Sequence, residues 1–487
     1  MMVEIFLIVL VLVCLVLSFL IIQTVRFTSR QPSPDALPES TIDTGTVAGH
    51  LAQALTYKTV SYQDTLRFRG QEFKHLHSYL EKTFPTVHSH LTREVVGEYS
   101  LLYTWKGSNN TLLPVLLMAH LDVVPVEEGT EEDWTHPPFQ GDIADGFIWG
   151  RGSMDIKEGV MGLLEAVELL LKEEFEPERT IYLAFGHDEE IGGLQGAHAV
   201  AELVSARTGS LEYVLDEGGS ITRGIVPGVD FPVALVGIAE KGYVSLELLV
   251  ELEGGHSAMP PRETTIGILS AAVVKLEKNQ MPASFSGVVN RLFEYVGPEM
   301  DFSRKLIFAN TRFFSPLIVN RLSQSPYTNS MIRTTTAPTI IEGGTKENVL
   351  PQKAKAIVNF RILPGDTVES VIEHVTAVID DPRITVTPVK ESWNPSGVSD
   401  VKGQWFQTLH RTIRQVFPDT VVAPFLVTGA TDSRHYARMS KNVFKFIPFI
   451  ATSEDLKRVH GTDERISIHE YEHCIRFYIQ LIRNSAT

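Results

Sequence analysis

The sequence predicts an α/β protein, in which a main domain with a mixed, largely parallel sheet is interrupted by an inserted α+β lid domain. Two short apolar runs, at residues 115–118 and 181–185, flank a helical pattern at residues 160–172. Strand, helix and strand joined by short connections are typical of a buried, largely parallel sheet. Further along, alternating segments at residues 244–252 and 354–362 predict a smaller antiparallel sheet.

The domain boundaries follow from these changes of pattern. The main domain is expected over residues 46–240 and 398–487, and the inserted lid over residues 241–397. Residues 1–25 are predicted to be a signal peptide or signal anchor, and residues 26–45, rich in Pro, Ser and Thr, a linker. A chain of 487 residues suits this division into two to three parts.

The composition excludes several classes of function. Lys and Arg number 43 against 59 Asp and Glu, so the net charge of −16 makes nucleic acid an unfavourable partner. The only cysteines, Cys14 and Cys474, exclude a disulfide framework and a four-cysteine zinc site. Any metal must therefore be held by histidines and carboxylates.

The first segment predicts membrane insertion or secretory targeting. Residues 5–22 are apolar apart from Ser18, and no clear cleavage site follows them, which favours an uncleaved anchor. Arg26 and Arg30 on the C-terminal flank favour a cytoplasmic body, whereas the glycosylation pattern at Asn109 favours the lumen. We expect the secretory pathway, with the body either secreted or anchored on the lumenal or extracellular side.

Polar clusters follow three of the apolar strands, at residues 120–122, 187–190 and 216–217. Ligands of open α/β sheets bind beyond the carboxyl ends of the strands, so these clusters indicate one site. The candidate metal ligands, all histidines or carboxylates, are His120, Asp155, Glu190, Asp216 and His460.

Three further features give this set a chemical pattern. Asp122 is placed to orient the imidazole of His120. Asp155 ends a glycine-rich turn before a helix, where a short carboxylate is able to bridge two metals. The adjacent pair Glu189 and Glu190 allows one carboxylate to bind metal while the other accepts a proton.

A second pattern, His469-Glu470-Tyr471-Glu472-His473, matches the HExxH zinc motif. No histidine or acidic residue follows it as a third ligand, and its surroundings form an amphipathic helix. We interpret it as a solvated helix face.

The ordered motifs resemble the di-zinc peptidase family that contains aminoacylase, carboxypeptidase S and succinyl-diaminopimelate desuccinylase. They are MAHLDVVP (118–125), GRGSMDIKEG (150–159), GHDEEIGG (186–193), LDEGG (215–219), GGHSAMPP (254–261), NVLPQKAKAIVNFRILPG (348–365), TDSRHY (431–436) and HGTDERIS (460–467). The resemblance runs from about residue 50 to the C-terminus. It implies the zinc-peptidase catalytic domain with its inserted lid.

The resemblance also implies a role for each candidate residue. Two Zn²⁺ ions per subunit would be bridged by Asp155, one held by His120 and Asp216 and the other by Glu190 and His460. Glu189 would be the general base and then the acid, and the peptide bond after Asp155 would be cis. His256 of the lid would stabilise the oxyanion. Arg434 would bind a substrate carboxylate, with help from Asn348 or Arg361.

Within this family, the sequence is most similar to the members that make and hydrolyse N-fatty-acyl amino acids. The similarity lies in residues 333–352, residues 186–190 and the segment around 280–335. The expected function is reversible, zinc-dependent hydrolysis of such amides, and the alternative is a carboxypeptidase S-like peptidase. Phe-rich stretches at 306–308 and 313–314 are candidates for an acyl channel or for the lid core.

The expected partners are the fatty acid and amino acid or their amide, and membrane or lipoprotein lipid. Monomer and homodimer through the lid both stay open. Every expected position is occupied, which disfavours a non-catalytic binding protein.

Overall fold

The computed structural model describes residues 1–64, 66–226, 228–389 and 391–486. The helices are α1 (Met2–Arg26), α2 (Thr44–Leu55), α3 (Gly70–Thr83), α4 (Pro85–His90), α5 (Lys157–Lys172), α6 (Ala197–Thr208), α7 (Thr265–Lys278), α8 (Gly287–Val296), α9 (Phe302–Ala309), α10 (Thr311–Leu322), α11 (Pro326–Ile332), α12 (Val368–Ile379), α13 (Gln404–Val416), α14 (Ser453–Arg458) and α15 (Ile468–Ser485).

The strands are β1 (Thr92–Val96), β2 (Ser100–Trp105), β3 (Val115–His120), β4 (Ile143–Ala144), β5 (Phe147–Trp149), β6 (Ile181–Gly186), β7 (Val214–Thr222), β8 (Val233–Glu240), β9 (Gly242–Glu251), β10 (Gly255–His256), β11 (Thr335–Gly343), β12 (Val349–Leu350), β13 (Lys353–Ile362), β14 (Ile384–Pro388), β15 (Val421–Val427), β16 (Val443–Ala451) and β17 (Arg465–Ser467).

The main domain is built on an eight-stranded sheet with the order β1-β2-β6-β3-β7-β16-β8-β15. The four adjacent strands β6, β3, β7 and β16 are parallel to one another. Strand β2 is antiparallel to both of its neighbours, β1 and β6. Every residue of β3 and β6 is buried, because α5 packs on one face of the sheet and α6 on the other. The predicted mixed, largely parallel sheet is confirmed.

The lid has its own sheet and its own core. Strands β11, β13, β9 and β14 form an antiparallel sheet in that order. Alternate residues of β9 and β13 point inward and are buried with the apolar faces of α7 and α12. This two-residue period is the pattern from which the sequence predicted an antiparallel sheet.

The middle of the predicted lid lies elsewhere. Residues 285–332, which carry α8 to α11, contribute their apolar faces to the core of the main domain, and α8 packs against β15. The lid core is made only of side chains from the segments before and after them. The expected boundaries of 241–397 thus enclose a helical segment that packs with the main domain, because amphipathic helices bury whichever apolar surface lies beside them.

The predicted linker is docked on the main domain. The side-chain amide of Gln31 donates to the backbone oxygen of Val422 on β15 at 3.0 Å and accepts from its backbone nitrogen at 2.9 Å. The same Gln31 oxygen lies 2.9 Å from Nε2 of His410 on α13. Farther along, Arg476 donates to the backbone oxygen of Pro38. Residues 27–43 are therefore an ordered strap.

Helix α1 has an apolar stretch with no polar face and is almost wholly exposed. Its 25 residues are long enough and apolar enough to cross a membrane. A signal sequence and a membrane anchor both have this character, so α1 agrees with the predicted targeting segment.

His410 gives the strap contact a measurable pH dependence. Burial lowers the pKa of His410 from 6.5 to about 3. Between these values the unfolded chain binds a proton that the folded chain excludes, so the free energy of unfolding falls as the pH decreases. Between pH 7 and pH 5 the free energy of unfolding should fall by about 2 kcal/mol more in the unchanged protein than in His410→Gln. The glutamine keeps an N–H donor for Gln31.

Urea denaturation of the full chain in detergent at both pH values measures this loss. The matched control is His75→Gln, which changes an exposed histidine of α3. An equal loss of stability in the unchanged protein and in His410→Gln would contradict the assignment.

Candidate metal centre

The predicted ligands come together beyond the carboxyl ends of the strands. His120 is the last residue of β3, Glu190 lies on a short 3-10 turn after β6, and Asp155 precedes α5. His460 follows α14 and has a φ of 62°, a left-handed conformation that is uncommon for a residue other than glycine. The Asp155–Ile156 peptide bond is cis, as the resemblance implies.

The carboxylate of Asp155 lies between the two imidazoles. Its Oδ1 is 3.1 Å from Nε2 of His120, and its Oδ2 is 2.9 Å from Nε2 of His460. His460 Nε2 is also 3.3 Å from Oε2 of Glu190. Since each oxygen of Asp155 faces a different histidine, this carboxylate is arranged as a bridge between two positions.

Glu217, which the sequence analysis did not select, takes the place predicted for Asp216. Its Oε1 is 3.3 Å from Nε2 of His120. The carboxylate of Asp216 instead accepts a hydrogen bond from the backbone nitrogen of Ser433 at 2.7 Å. The two residues are adjacent on β7, and successive side chains of a strand point to opposite faces, so only one of them reaches the site.

Asp122 lies against the imidazole of His120, as predicted, and also contacts the turn after β6. The Nδ1 atom of His120 is 2.9 Å from the backbone oxygen of Asp122 and 3.4 Å from its carboxylate. The backbone nitrogens of Glu189 and Glu190 both donate to that carboxylate at 3.2 Å. Ser61 donates to it at 2.6 Å. Asp122 thus joins the imidazole to the turn that carries both glutamates.

Glu464 is a second residue that the sequence analysis left without a role. It is fully buried, and its Oε1 accepts hydrogen bonds from the backbone nitrogens of Gly152, Met154 and Asp155. Its Oε2 accepts a hydrogen bond of 2.6 Å from Arg151. Glu464 therefore fixes the turn of Asp155 to the segment that carries His460. Its position within the HGTDERIS motif, four residues after His460, is the feature of the sequence that could have identified it.

The charges of the cluster favour divalent cations. Carboxylates outnumber the two imidazoles, and the Oε1 atom of Glu190 is buried with no hydrogen-bond partner among the described residues. Burial and then the charge of Asp155 raise the pKa of Glu217 to about 8, and burial followed by the charge of Glu217 raises that of Glu189. Buried carboxylates of this kind are usually paired or coordinate metals. The side chains therefore fit a metal centre.

A cavity of about 660 Å³ opens from this cluster. Four of its lining side chains form a stack, in which Arg361 lies over the ring of Tyr243 and Arg434 over the ring of Trp393. The two rings are themselves stacked, with centroids 4.8 Å apart and planes at 19°. The predicted substrate residues Arg361 and Arg434 therefore both line the cavity, together with two aromatic residues that the sequence analysis did not select.

Part of the lining of the cavity is apolar and includes Leu235, Phe425 and Tyr327. The same three side chains border a second apolar void of about 10 Å³ beneath α8 and α10, which is no larger than one water requires. The Phe-rich stretches predicted for an acyl channel do not line either cavity. Phe308 stacks on the ring of Phe293 with centroids 4.1 Å apart, within a helical cluster of the main domain.

His256 and Asn348 lie apart from the cavity. They are exposed on a two-stranded ribbon of the lid, where His256 pairs with Val349 and the backbone oxygen of Asn348 accepts from Ser257. The Nδ1 atom of His256 accepts a hydrogen bond of 3.0 Å from the backbone nitrogen of Ala258, which leaves the proton on Nε2.

Two further predicted positions lie outside the centre. Asn109 is in the loop between β2 and β3, where its side chain accepts hydrogen bonds from the backbone and hydroxyl of Thr111. The HExxH pattern lies on α15, as expected. Glu470 is half-buried, however, and its carboxylate accepts from the backbone nitrogen of Ile450 at 2.7 Å. It therefore serves a packing role at the helix start.

Residues 116–484 match peptidase family M20/M25/M40. The chain is 43% identical over 480 residues to the probable carboxypeptidase S-like 2 of Dictyostelium discoideum, covering 96% of this chain and 92% of that protein. It is also 43% identical over 415 residues to the human N-fatty-acyl-amino acid synthase/hydrolase PM20D1, covering 84% of this chain and 82% of that protein.

Two solved structures share the fold. The M20 family metallo-carboxypeptidase Sso-CP2 from Sulfolobus solfataricus has a TM-score of 0.64 at 18% identity, covering 90% of this chain and 98% of that one. Human carnosine dipeptidase 1 has a TM-score of 0.59 at 17% identity, covering 91% and 96%.

Metal analysis distinguishes Glu217 from Asp216 as a ligand. We expect Glu217→Gln to lower the bound zinc of the purified protein, because it removes a charge that faces His120. Asp216→Asn should keep the wild-type zinc content, since an amide oxygen is still able to accept from Ser433. Zinc loss in Asp216→Asn with full retention in Glu217→Gln would restore the assignment made from the sequence.

Proposed function

The chain belongs to peptidase family M20/M25/M40, and we propose that it is a zinc-dependent amidohydrolase acting reversibly on N-fatty-acyl amino acids. It would hydrolyse them to a long-chain fatty acid and a free amino acid, and form them by condensation. Relatives named for this activity and relatives named for carboxypeptidase S match the chain about equally well. The composition of the cavity must therefore guide the choice of substrate.

The observation that supports this substrate is that one cavity combines two kinds of lining. The carboxylate cluster and the guanidinium groups of Arg361 and Arg434 line it together with the apolar side chains of Leu235 and Phe425 and the ring of Tyr327. An N-fatty-acyl amino acid has the same combination, with an amide between a carboxylate and a long apolar chain. A blocked peptide requires the polar groups of this lining but not its apolar side chains.

The residues of the centre would hold two zinc ions. Asp155 would bridge them, with His120 and Glu217 completing one site and Glu190 and His460 the other. Bound ions of this kind supply Lewis-acid polarisation of the amide carbonyl and acidify water. Asp122 and Glu464 would keep the ligands in place through the backbone hydrogen bonds that they accept.

Glu189 would carry the proton. Its backbone nitrogen donates to Asp122, which holds the side chain at the mouth of the cavity. As water attacks the carbonyl carbon, the Glu189 carboxylate takes a water proton, and it delivers that proton to the amide nitrogen as the C–N bond breaks. Condensation is the same path in reverse, with the proton moving from the amine to Glu189.

The stack of rings and guanidinium groups would bind the substrate carboxylate. Arg434 is held by the Trp393 ring and by its donation to the backbone oxygen of Gly192. A guanidinium fixed in this way keeps N–H groups for a carboxylate, which it binds in a two-pronged geometry. Arg361 would add a second positive charge from the lid.

His256 would stabilise the oxyanion, since its Nε2 proton is a suitable donor. Its exposed position on the lid ribbon means that either lid closure or a second copy of the chain must bring it to a carbonyl. A homodimer through the lid would satisfy this need, and Asn348 on the neighbouring strand would move with it. We also propose that the protein enters the secretory pathway and that Asn109 is glycosylated there.

A carboxypeptidase S-like peptidase is the second candidate. The 43% identity to the carboxypeptidase S-like protein favours it, and it would use the same metal centre and the same arginines. A higher kcat/KM for a blocked dipeptide than for an N-oleoyl amino acid would support the peptidase and contradict our first proposal.

The role of Glu189 is tested by Glu189→Gln. We expect zinc to stay bound, and both hydrolysis and condensation to fall by about 10²–10⁴-fold, because the amide cannot accept the proton. Product formation from each direction and metal content are measured on the same preparation. Glu202→Gln, an exposed glutamate on α6, is the matched control. Turnover by Glu189→Gln at the rate of this control would refute the role.

The apolar lining of the cavity is tested by Tyr327→Ser. Loss of the ring removes apolar contact with the acyl chain, which corresponds to about 2 kcal/mol and about 30-fold in kcat/KM for an N-oleoyl amino acid. Turnover of the N-acetyl amino acid should be unchanged, because a short chain does not reach Tyr327. Equal losses for both substrates would place the acyl chain elsewhere.

A further inference from the structure

Helix α1 is fastened to the body by polar contacts that are buried near its C-terminal end. The side-chain nitrogen of Asn310 lies 3.1 Å from the backbone oxygen of Leu20 and 3.4 Å from the hydroxyl of Thr24. All three residues are at least nine-tenths buried, although the rest of α1 is exposed. The end of α1 is therefore held against α9 and α10.

The strap after α1 continues this attachment. The ring of Phe27 packs against Gly297. A Cβ atom at residue 297 would lie only 2.8 Å from this ring, so Phe27 occupies the space that a side chain there would need. Arg30 pairs with Glu294 at 3.3 Å and lies over the ring of Tyr295. Together with the hydrogen bonds of Gln31, these contacts prevent the strap from acting as a free tether. A bilayer crossed by α1 must then lie close to α9 and α10.

The surface of α9 and α10 beside α1 is apolar and exposed. Phe302 and Phe313 are each 58% exposed and Leu317 is 54% exposed. Phe313 and Leu317 are four residues apart, so they share one face of α10. The ring of Phe313 also contacts Phe19 of α1 edge-on, with centroids 6.1 Å apart. The exposed face is therefore continuous with the apolar surface of the anchor.

The charge of this segment is opposite to that of the whole protein. Between residues 302 and 325 the sequence has no Asp or Glu, whereas the protein as a whole carries a net charge of −16. The basic residues of the segment are Lys305, Arg312 and Arg321, together with Arg304, which pairs with Asp301 at 3.1 Å. Basic side chains beside an apolar helix face are typical of surfaces that bind anionic lipid headgroups.

We propose that α9 and α10 form a lipid-contacting face, which seats the body on the bilayer that α1 crosses. Phe302, Phe313 and Leu317 enter the boundary between headgroups and acyl chains. Lys305, Arg312 and Arg321 contact the headgroups. The occupant of this face is the bilayer itself, because the fastened end of α1 brings the face to the membrane.

Spin labels on the full chain in phosphatidylcholine–phosphatidylserine nanodiscs test the lipid face. Cys14→Ser removes the exposed cysteine, and Cys474 is buried. In this background, nitroxides at Phe313→Cys and Leu317→Cys should be accessible to oxygen and shielded from a water-soluble nickel chelate. The expected depth is about 5–10 Å below the headgroup surface.

Leu66→Cys is the matched control, because Leu66 is an apolar residue that is 85% exposed. It lies beside Phe68, which packs on Tyr99 near β2, six strand spacings or about 29 Å from β15 along the sheet. A label at Leu66 should be fully accessible to the nickel chelate. Equal nickel accessibility at Phe313 and Leu66 would overturn the proposal.

The charge reversal Arg312→Glu with Arg321→Glu should make the Phe313 label shallower, most strongly when phosphatidylserine is present. Spin–spin broadening between labels, with shielding that is unchanged in detergent, would identify a second copy of the chain as the occupant and overturn the proposal. The measurement uses no substrate, so it stands even if the proposed amidohydrolase activity fails.

Discussion

The concentration of negative charge at one edge of the sheet is the constraint on which this structure depends. Five carboxylates meet two imidazoles there, at the edge of a cavity of about 660 Å³. Such a cluster repels itself unless the protein or a cation compensates. The protein compensates part of this charge with backbone N–H groups, which donate hydrogen bonds to the carboxylates of Asp122 and Glu464. Neither of these two residues lines the cavity. The remaining negative charge is what a metal ion would neutralise.

The sequence predicted the fold and most of the cluster because both depend on order along the chain. Apolar strands followed by polar residues define the edge of a parallel sheet, and that places His120 and Glu190. Asp155 was predicted from its glycine-rich turn before a helix, and His460 from its motif. The choice between Asp216 and Glu217 depends on which face of β7 points inward. A shift of one residue reverses the faces of a strand, and the LDEGG motif has acidic side chains on both.

Tertiary partners explain the other differences between the prediction and the structure. The apolar faces of α8 to α11 were visible in the sequence, but the sequence does not state which of two cores they cover. The stack of Tyr243 and Trp393 joins residues that are 150 positions apart at the two ends of the lid. No spacing rule reports such a pair. The distance of His256 from the cavity likewise reflects the placement of the lid, which local patterns do not encode.

The strap at residues 27–43 also covers part of an open edge of the main sheet. Strand β15 is the last strand of the eight-stranded order, and an open sheet edge is a template for aggregation. The side-chain amide of Gln31 occupies both hydrogen-bonding groups of Val422 on that edge, in the manner of a neighbouring strand. Proteolytic release that cuts within α1 would leave this cover in place. A cut after the strap would free the enzyme and uncover its edge.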